Sequence, residues 1–134
     1  MSNPYEPLMT KSYWAKRREK GTLYLEYPIS GRRIDGLVIL DGSSSKEALS
    51  AKRAPKLAEL SGKQVIVLQT KRNKLGMGVA GQTIISKTLL EQAGVEVVAA
   101  VAICLKIDEK ILEALRKHGC AAVVEADPKE SARK

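Results

Sequence analysis

Apolar and polar positions along the chain fall into blocks of alternating period, and those blocks predict a sheet with helices around it. Residues 22–29 are rich in β-forming side chains and end in a Ser-Gly-Arg-Arg turn, and residues 33–40 resume the same pattern. Together they predict an antiparallel hairpin. Residues 63–71 are almost wholly apolar until Gln69, which is typical of a strand buried on both faces.

Helical periods precede and follow these three strands. Residues 8–20 predict a first helix ending at Gly21, and residues 75–94 predict a second ending at Gly94. Residues 108–119 predict a third helix, and residues 95–106 and 120–127 predict two further strands. The order α-β-β-β-α-β-α-β predicts an α/β fold, a mixed β-sheet flanked by helices.

One domain accounts for residues 1–134, with residues 1–7 and 128–134 expected to be flexible. Residues 41–63 form an insertion between the second and third strands that is long for a hairpin loop. We expect a helix within it, interrupted near Pro55, because proline lacks a backbone donor.

Glycines occupy the first turns of the second helix, where they lower helix stability. Gly76, Gly78 and Gly81 all fall in this segment. The simplest reason for three glycines here is the close approach of another backbone or of a phosphate.

Composition excludes several classes of protein. The chain has 134 residues, 44% of them hydrophobic and 28% charged, which argues against disorder. No apolar run reaches the roughly 18 residues needed to span a bilayer. The first thirty residues contain no apolar signal-peptide stretch, so we expect a cytoplasmic location.

The net charge of +8 lies entirely in the first part of the chain. Residues 1–74 contain 15 Lys and Arg against 7 Asp and Glu, whereas residues 75–134 contain 8 of each class. The basic residues cluster at positions 11–20, 32–33, 52–56 and 71–74. A polyanion is the natural partner for such clusters, because neutralised phosphates release counterions. A merely soluble basic surface is the alternative.

Cysteine and histidine provide little material for a site. Cys104 and Cys120 lie in apolar surroundings, and His118 is the only histidine, so no zinc site is expected. Buried cysteines and a histidine at a helix C-terminus explain these residues better than catalysis does.

Three polar residues interrupt otherwise apolar strands. Asp35 lies within the second strand, and the period of two places Leu37 and Ile39 on its face. Gln69 and Lys71 end the third strand two positions apart, so their side chains are expected to leave one face together. We expect the second and third strands to be neighbours, so that these three polar side chains converge.

That grouping suits metal-assisted hydrolysis of a phosphodiester. An aspartate and the backbone carbonyl of Thr70, between Gln69 and Lys71, can hold Mg²⁺, which prefers oxygen ligands and keeps several waters. Lys71 can position the attacking water and stabilise charge that develops on the phosphate.

The segments EYPISGRRIDGLVIL and VIVLQTKR, followed by a helix carrying GQ, resemble the PD-(D/E)XK nuclease superfamily, or restriction-endonuclease-like proteins. The resemblance covers roughly residues 8–125 and implies that Asp35 binds metal and that Lys71 is catalytic. Gln69 stands where the motif has an acid. Mrr-type restriction enzymes are similar in carrying QxK, so the resemblance implies a catalytic set of Asp35, Gln69 and Lys71.

A second acid would supplement Asp35 in such a site. Glu26 is the first choice because its strand pairs with that of Asp35. Glu19, at the end of the first predicted helix, and Glu6 are the alternatives. An exposed strand residue opposite Arg32 or Arg33 is the other interpretation of Glu26.

The resemblance implies a metal-dependent DNA endonuclease that acts in repair, recombination or restriction as a homodimer, with Mg²⁺ as cofactor and Mn²⁺ as a substitute. The alternatives are a catalytically inactive DNA-binding or assembly module on the same fold and, less favoured, a ligand-binding domain that uses its glycine-rich segment. The expected DNA contacts are Lys16, Arg17, Arg18, Arg32, Arg33, Arg72, Lys74 and Gln82.

Overall fold

A computed structural model describes residues 3–131 of the chain. Its central feature is a six-stranded mixed sheet in the order β3-β1-β2-β4-β5-β6. The predicted mixed sheet flanked by helices is confirmed, with one strand more than the five expected. The elements are α1 (Glu6–Ala15), β1 (Thr22–Ile29), β2 (Arg32–Ile39), β3 (Ala48–Ser50), β4 (Gln64–Thr70), α2 (Met77–Gln92), β5 (Glu96–Cys104), α3 (Glu109–Lys117), β6 (Ala121–Val124) and α4 (Pro128–Ser131).

Strand pairing places the predicted second and third strands side by side. β1 and β2 form an antiparallel hairpin, and β2 pairs antiparallel with β4. β4, β5 and β6 are parallel, connected through α2 and α3. The expected adjacency of the strands carrying Asp35 and Gln69 is therefore confirmed.

Helices cover both faces of the sheet and bury two apolar clusters. On one face, α1 packs Met9, Tyr13 and Trp14 against the strands. On the other face, α2 and α3 contribute residues such as Leu90 and Leu115. β4 runs between these clusters and is buried from Val65 to Thr70, which explains its nearly continuous apolar sequence.

The insertion between β2 and β4 does not contain the expected α-helix. It contains the edge strand β3, parallel to β1, and two short 3₁₀ turns on either side of Pro55. Leu60 is fully buried, and the Tyr27 hydroxyl donates to the Pro55 carbonyl at 2.9 Å. Pro55 lacks the backbone donor that a continuous α-helix would need there, and only short 3₁₀ turns form on either side of it.

The first helix is displaced toward the N-terminus from its expected position. It includes Glu6 and Pro7 and ends at Ala15, five residues before the expected end. Gly21 is not a helix cap: a Cβ there would lie 2.5 Å from the Ile39 carbonyl oxygen. It is needed where β1 begins against β2.

The expected flexible ends are only partly described. Glu6 and Pro7 belong to α1, and Pro128–Ser131 forms α4. Residues 1, 2 and 132–134 lie outside the described part of the chain. Between residues 3 and 131, no helix combines the length and the apolar character needed to cross a membrane.

Two glycines should respond to alanine in opposite directions. A Cβ at Gly36 would lie 2.7 Å from Thr10 Cγ2 and 3.0 Å from Leu23 Cδ1, so Gly36→Ala should destabilise the protein by about 1–3 kcal/mol through overpacking. Gly81 has open space at the same position, so Gly81→Ala should stabilise α2 by up to about 1 kcal/mol. Urea unfolding of both variants tests this, and a shift of the same sign in both would contradict it.

Candidate functional site

β2 and β4 part at Asp35 and Gln69, and side chains bridge the gap. The strands are paired from Ile39 and Val65 as far as Gly36 and Leu68. At the next position, Asp35 Oδ2 accepts the N–H of Thr70 at 2.7 Å, and the Asp35 N–H donates to Gln69 Oε1 at 3.3 Å. Two side-chain hydrogen bonds thus take over from the backbone ladder.

Asp35 lies on the α1 side of the sheet. It lines a cavity together with Glu6, Thr10 and Glu26. Leu37 and Ile39 pack in the opposite cluster, under α2 and α3, so the expectation that they share a face with Asp35 is wrong.

The change of face coincides with an irregularity of the hairpin at Glu26 and Asp35. Glu26 has a φ of +56°, in the left-handed region that non-glycine residues rarely adopt. The regular register of the hairpin places it opposite Asp35, and this pair is missing from an otherwise continuous ladder. Tyr24 and Tyr27, on either side of it, both pack in the cluster under α2 and α3, so the period of two is broken here.

Three carboxylates meet at this cavity of about 180 Å³. Asp35 of β2, Glu6 of the first turn of α1 and Glu26 of β1 all line it. Glu6 Oε2 accepts the N–H of Arg72 at 2.8 Å, which ties α1 to the segment after β4. Glu26 is exposed and forms an ion pair with Arg33 at 3.6 Å. Glu26 thus lines the cavity, as a supplementary acid would, and it is also an exposed strand residue paired with an arginine, as the other interpretation holds.

Burial raises the pKa of Asp35 from its ordinary 3.8 to about 6. The negative charges of Glu6 and Glu26 contribute to this increase, whereas the Thr70 N–H and the Lys71 ammonium oppose it. A carboxylate kept partly protonated near neutral pH is unusual outside functional sites. It also gains most from a cation, which would relieve both its burial and the repulsion from its neighbours.

Gln69 is oriented away from the acidic cavity. Its side chain is buried toward α2, where Nε2 donates to Ser86 Oγ at 2.8 Å. Ser86, which sequence reasoning missed, therefore fixes the amide so that its oxygen is directed to the Asp35 N–H. Nothing in the sequence marks Ser86 as a partner of Gln69, because only the packing of α2 on the sheet brings the two side chains together.

Lys71 and Thr70 complete the end of β4. Thr70 is buried, and its hydroxyl shares a 2.7 Å hydrogen bond with Thr10 of α1. Lys71 is exposed just beyond the strand, and its N–H donates to the Ile103 carbonyl at 2.9 Å. The Lys71 ammonium acts on Asp35 through its charge, and among residues 3–131 it forms no ion pair.

The donor set suits a hard cation with few protein ligands. Asp35 accepts one hydrogen bond, at Oδ2, and borders the cavity with two further carboxylates. Within the described residues, no three Asp, Glu, His or Cys side chains are gathered tightly enough to form a ready ligand cluster. Mg²⁺ is commonly bound through one or two carboxylates and completes its shell with water, so this arrangement fits it better than zinc or calcium.

Most basic candidates for DNA contact also bind acidic side chains. Lys16 forms an ion pair with Glu125, and Arg17 forms one with Glu19. Glu19 does not line the acidic cavity. Arg72 forms a two-bond pair with Asp127 and stacks on Tyr5. The pair of Lys74 and Asp108 is long, at 3.9 Å. Among the described residues, Arg18 and Arg32 have no acidic partner.

Gln82 lies at a second cavity, between the tip of the β1–β2 hairpin and α2. This cavity has a volume of about 350 Å³ and is bordered by Arg32 and Arg33. Gln69 belongs to its wall as well, so the Asp35 and Gln69 pair separates the two cavities. The hairpin arginines and Gln82 are therefore brought together, as expected for residues with a shared ligand.

Comparison with known proteins finds no match for this chain. No protein family model, no curated protein and no solved structure matches the chain. The resemblance to PD-(D/E)XK nucleases accordingly depends on the motif residues and on their placement alone.

Asp35→Asn should make the protein more stable at pH 8, by about 1–3 kcal/mol, and leave stability at pH 4 nearly unchanged. The folded protein holds the Asp35 proton more tightly than the unfolded chain does, so stability falls as pH rises from about 4 to about 6. Asparagine is neutral and can still accept the Thr70 N–H. Unfolding of both proteins in metal-free buffer measures this, and a difference independent of pH would contradict the assignment.

Proposed function

We propose that the protein is a metal-dependent DNA endonuclease that hydrolyses phosphodiester bonds. The observation that carries the proposal is the half-buried carboxylate of Asp35 at the point where β2 and β4 part, facing a cavity shared with Glu6 and Glu26. Such a carboxylate lowers stability when charged. Proteins commonly keep such a destabilising residue where its side chain has a function.

Each residue has a defined task in this proposal. Asp35 and one of the two glutamates hold the cation, Mg²⁺ or Mn²⁺ in its place, with the Thr70 carbonyl as a further oxygen ligand. When bound, the cation supplies Lewis-acid stabilisation of the phosphate. Lys71, exposed just beyond the end of β4, orients the attacking water and offsets charge on the phosphoryl oxygens. Gln69 fixes the Asp35 backbone through the amide.

Glu6 is the stronger candidate for the supplementary acid. The Arg72 N–H holds one of its oxygens at 2.8 Å, and Arg72 is itself fixed by Asp127. Glu26 in contrast is exposed and shared with Arg33. A ligand held in place loses less entropy on binding the cation than a mobile one.

The engagement of Gln69 favours a second candidate function. Both ends of this amide are used in structural hydrogen bonds, so the position that carries an acid in the PD-(D/E)XK motif provides no charge to the site. A DNA-binding or assembly module without catalysis on the same fold would have this arrangement. For either function, DNA as partner, a homodimeric state and a cytoplasmic location belong to the proposal.

Cleavage of DNA by the purified protein should require Mg²⁺ or Mn²⁺ and should fall by roughly 10²-fold in Lys71→Ala and in Asp35→Asn. Each change removes a group that acts on the transition state, so binding of uncleaved DNA should change little. Lys110→Ala, at an exposed lysine on α3, is the matched control and should cleave normally. Plasmid nicking and a binding assay in chelator measure the two effects.

Mg²⁺ should also raise the melting temperature of the wild-type protein and not that of Asp35→Asn, by mass action on the folded state. This readout does not depend on finding the right DNA. Cleavage that survives both substitutions would assign it to another site or a contaminant. Mg²⁺ stabilisation without cleavage of any DNA would favour the binding module.

DNA binding should weaken with salt in proportion to the phosphates that are neutralised. If about six basic side chains meet phosphates, log K should fall against log salt with a slope near −5. Arg32→Ala should reduce the slope by about 1, whereas Arg72→Ala should reduce it less because Asp127 occupies that guanidinium. A binding constant indifferent to salt would reject a polyanion as the partner.

A further inference from the structure

The cavity beside Gln82 has properties that the hydrolytic site does not need. It measures about 350 Å³, at the small end of the range for small-molecule pockets, roughly 300–1,000 Å³. Its apolar wall consists of Ile29, Ile85 and Leu89. The polar side chains that line it are Arg32, Arg33, Gln69, Gln82 and Ser86. Apolar walls with a few convergent polar groups are typical of a pocket for a small organic ligand.

The glycines of α2 are explained by this cavity and not by packing. Gly78 and Gly81 both border it, and a Cβ at either position would meet no atom of the described chain within 4 Å. The close approach of another backbone is therefore not the reason for them. Because each glycine costs helix stability, open space above both of them indicates room kept for something outside the chain.

The apolar surface around the glycines is also left uncovered. Ile85 is 52% exposed and Met77, in the first turn of α2, is 83% exposed. Arg32 has no acidic partner among residues 3–131, and it stands at the opposite rim. A ligand with an apolar ring and an attached phosphate complements both features.

We infer that this cavity receives one unstacked nucleotide of the DNA, so that the substrate is DNA with an unpaired or easily extruded base near the cleavage position. This inference rests on the proposed function and specifies its substrate class. The base lies against Ile85 and Leu89, above Gly78 and Gly81, and its phosphate is bound by Arg32. Gln82 can pair with a base edge through its amide.

Shape is the reason for choosing an unstacked nucleotide over continuous duplex. A paired helix presents phosphates and groove edges but no group that protrudes far enough to fill a concave pocket. Extruding a base costs a few kcal/mol in a paired duplex and least where the base is mispaired, damaged or single-stranded. A protein with such a pocket therefore selects the DNA in which this cost is already met.

Binding in chelator tests the inference without any requirement for cleavage. The probes are two short duplexes containing the fluorescent base 2-aminopurine, paired with thymine in one and mispaired in the other. The wild type should bind the mispaired duplex about tenfold or more tightly, as 1.4 kcal/mol or more of saved extrusion energy requires. The 2-aminopurine emission should change on binding, because the base leaves the stack.

Gly81→Leu is the decisive variant, since leucine fills the cavity, favours the helix and has room for its Cβ. It should abolish the preference for the mispaired duplex and the change in emission while keeping the salt-dependent binding of paired DNA. Thr88→Leu adds the same side chain at an exposed position of α2 outside the cavity and should retain both.

Equal affinity of the wild type for the two duplexes, or an unchanged preference in Gly81→Leu, would overturn the inference. Both results leave metal-dependent cleavage of paired DNA open, so failure of the pocket is distinct from failure of the proposed nuclease. Conversely, a preference lost in Gly81→Leu and kept in Thr88→Leu supports the pocket even if no DNA is cleaved.

Discussion

The candidate site depends on two hydrogen bonds that join β2 to β4 where the strands part. The Asp35 carboxylate accepts the Thr70 N–H, and the Gln69 amide accepts the Asp35 N–H. Buried backbone donors must find acceptors, and the diverging ladder no longer supplies them. Side chains of the correct length take their place, and they fix a carboxylate inside the sheet as a consequence.

The rest of the site is arranged around that pair. Gly36, next to Asp35, lets Thr10 of α1 pack closely on the sheet, and Thr10 in turn binds Thr70. α1 thereby carries Glu6 to the cavity, and the Arg72 N–H holds it there. Burial, together with repulsion from the neighbouring acids, raises the pKa of Asp35. The charged carboxylate therefore lowers the stability of the fold, and a bound cation would restore it.

The same amide that supports Asp35 also forms a wall between two unlike cavities. One cavity is acidic and suits a cation, and the other combines arginines with an apolar wall and suits a nucleotide. A nuclease needs both kinds of surface close together, because the reacting phosphate must be held next to the metal while the flanking chain is bound. The Gln69 side chain, bound to Ser86 at its far end, keeps them at a fixed separation.

Local pattern was sufficient for the order of the main elements, although not for β3 or α4. It also predicted the buried strand β4 and the adjacency of the strands that carry Asp35 and Gln69, because apolar period and turn residues are properties of neighbouring positions. It failed where distant parts of the chain decide. Asp35 faces away from Leu37 because the hairpin is irregular at Glu26 and Asp35, and no local pattern signals this irregularity. Likewise, the open space above Gly81 and the bond from Gln69 to Ser86 exist only once α2 packs on the sheet. Side-chain direction and cavity shape are consequences of packing, so only the tertiary structure determined them.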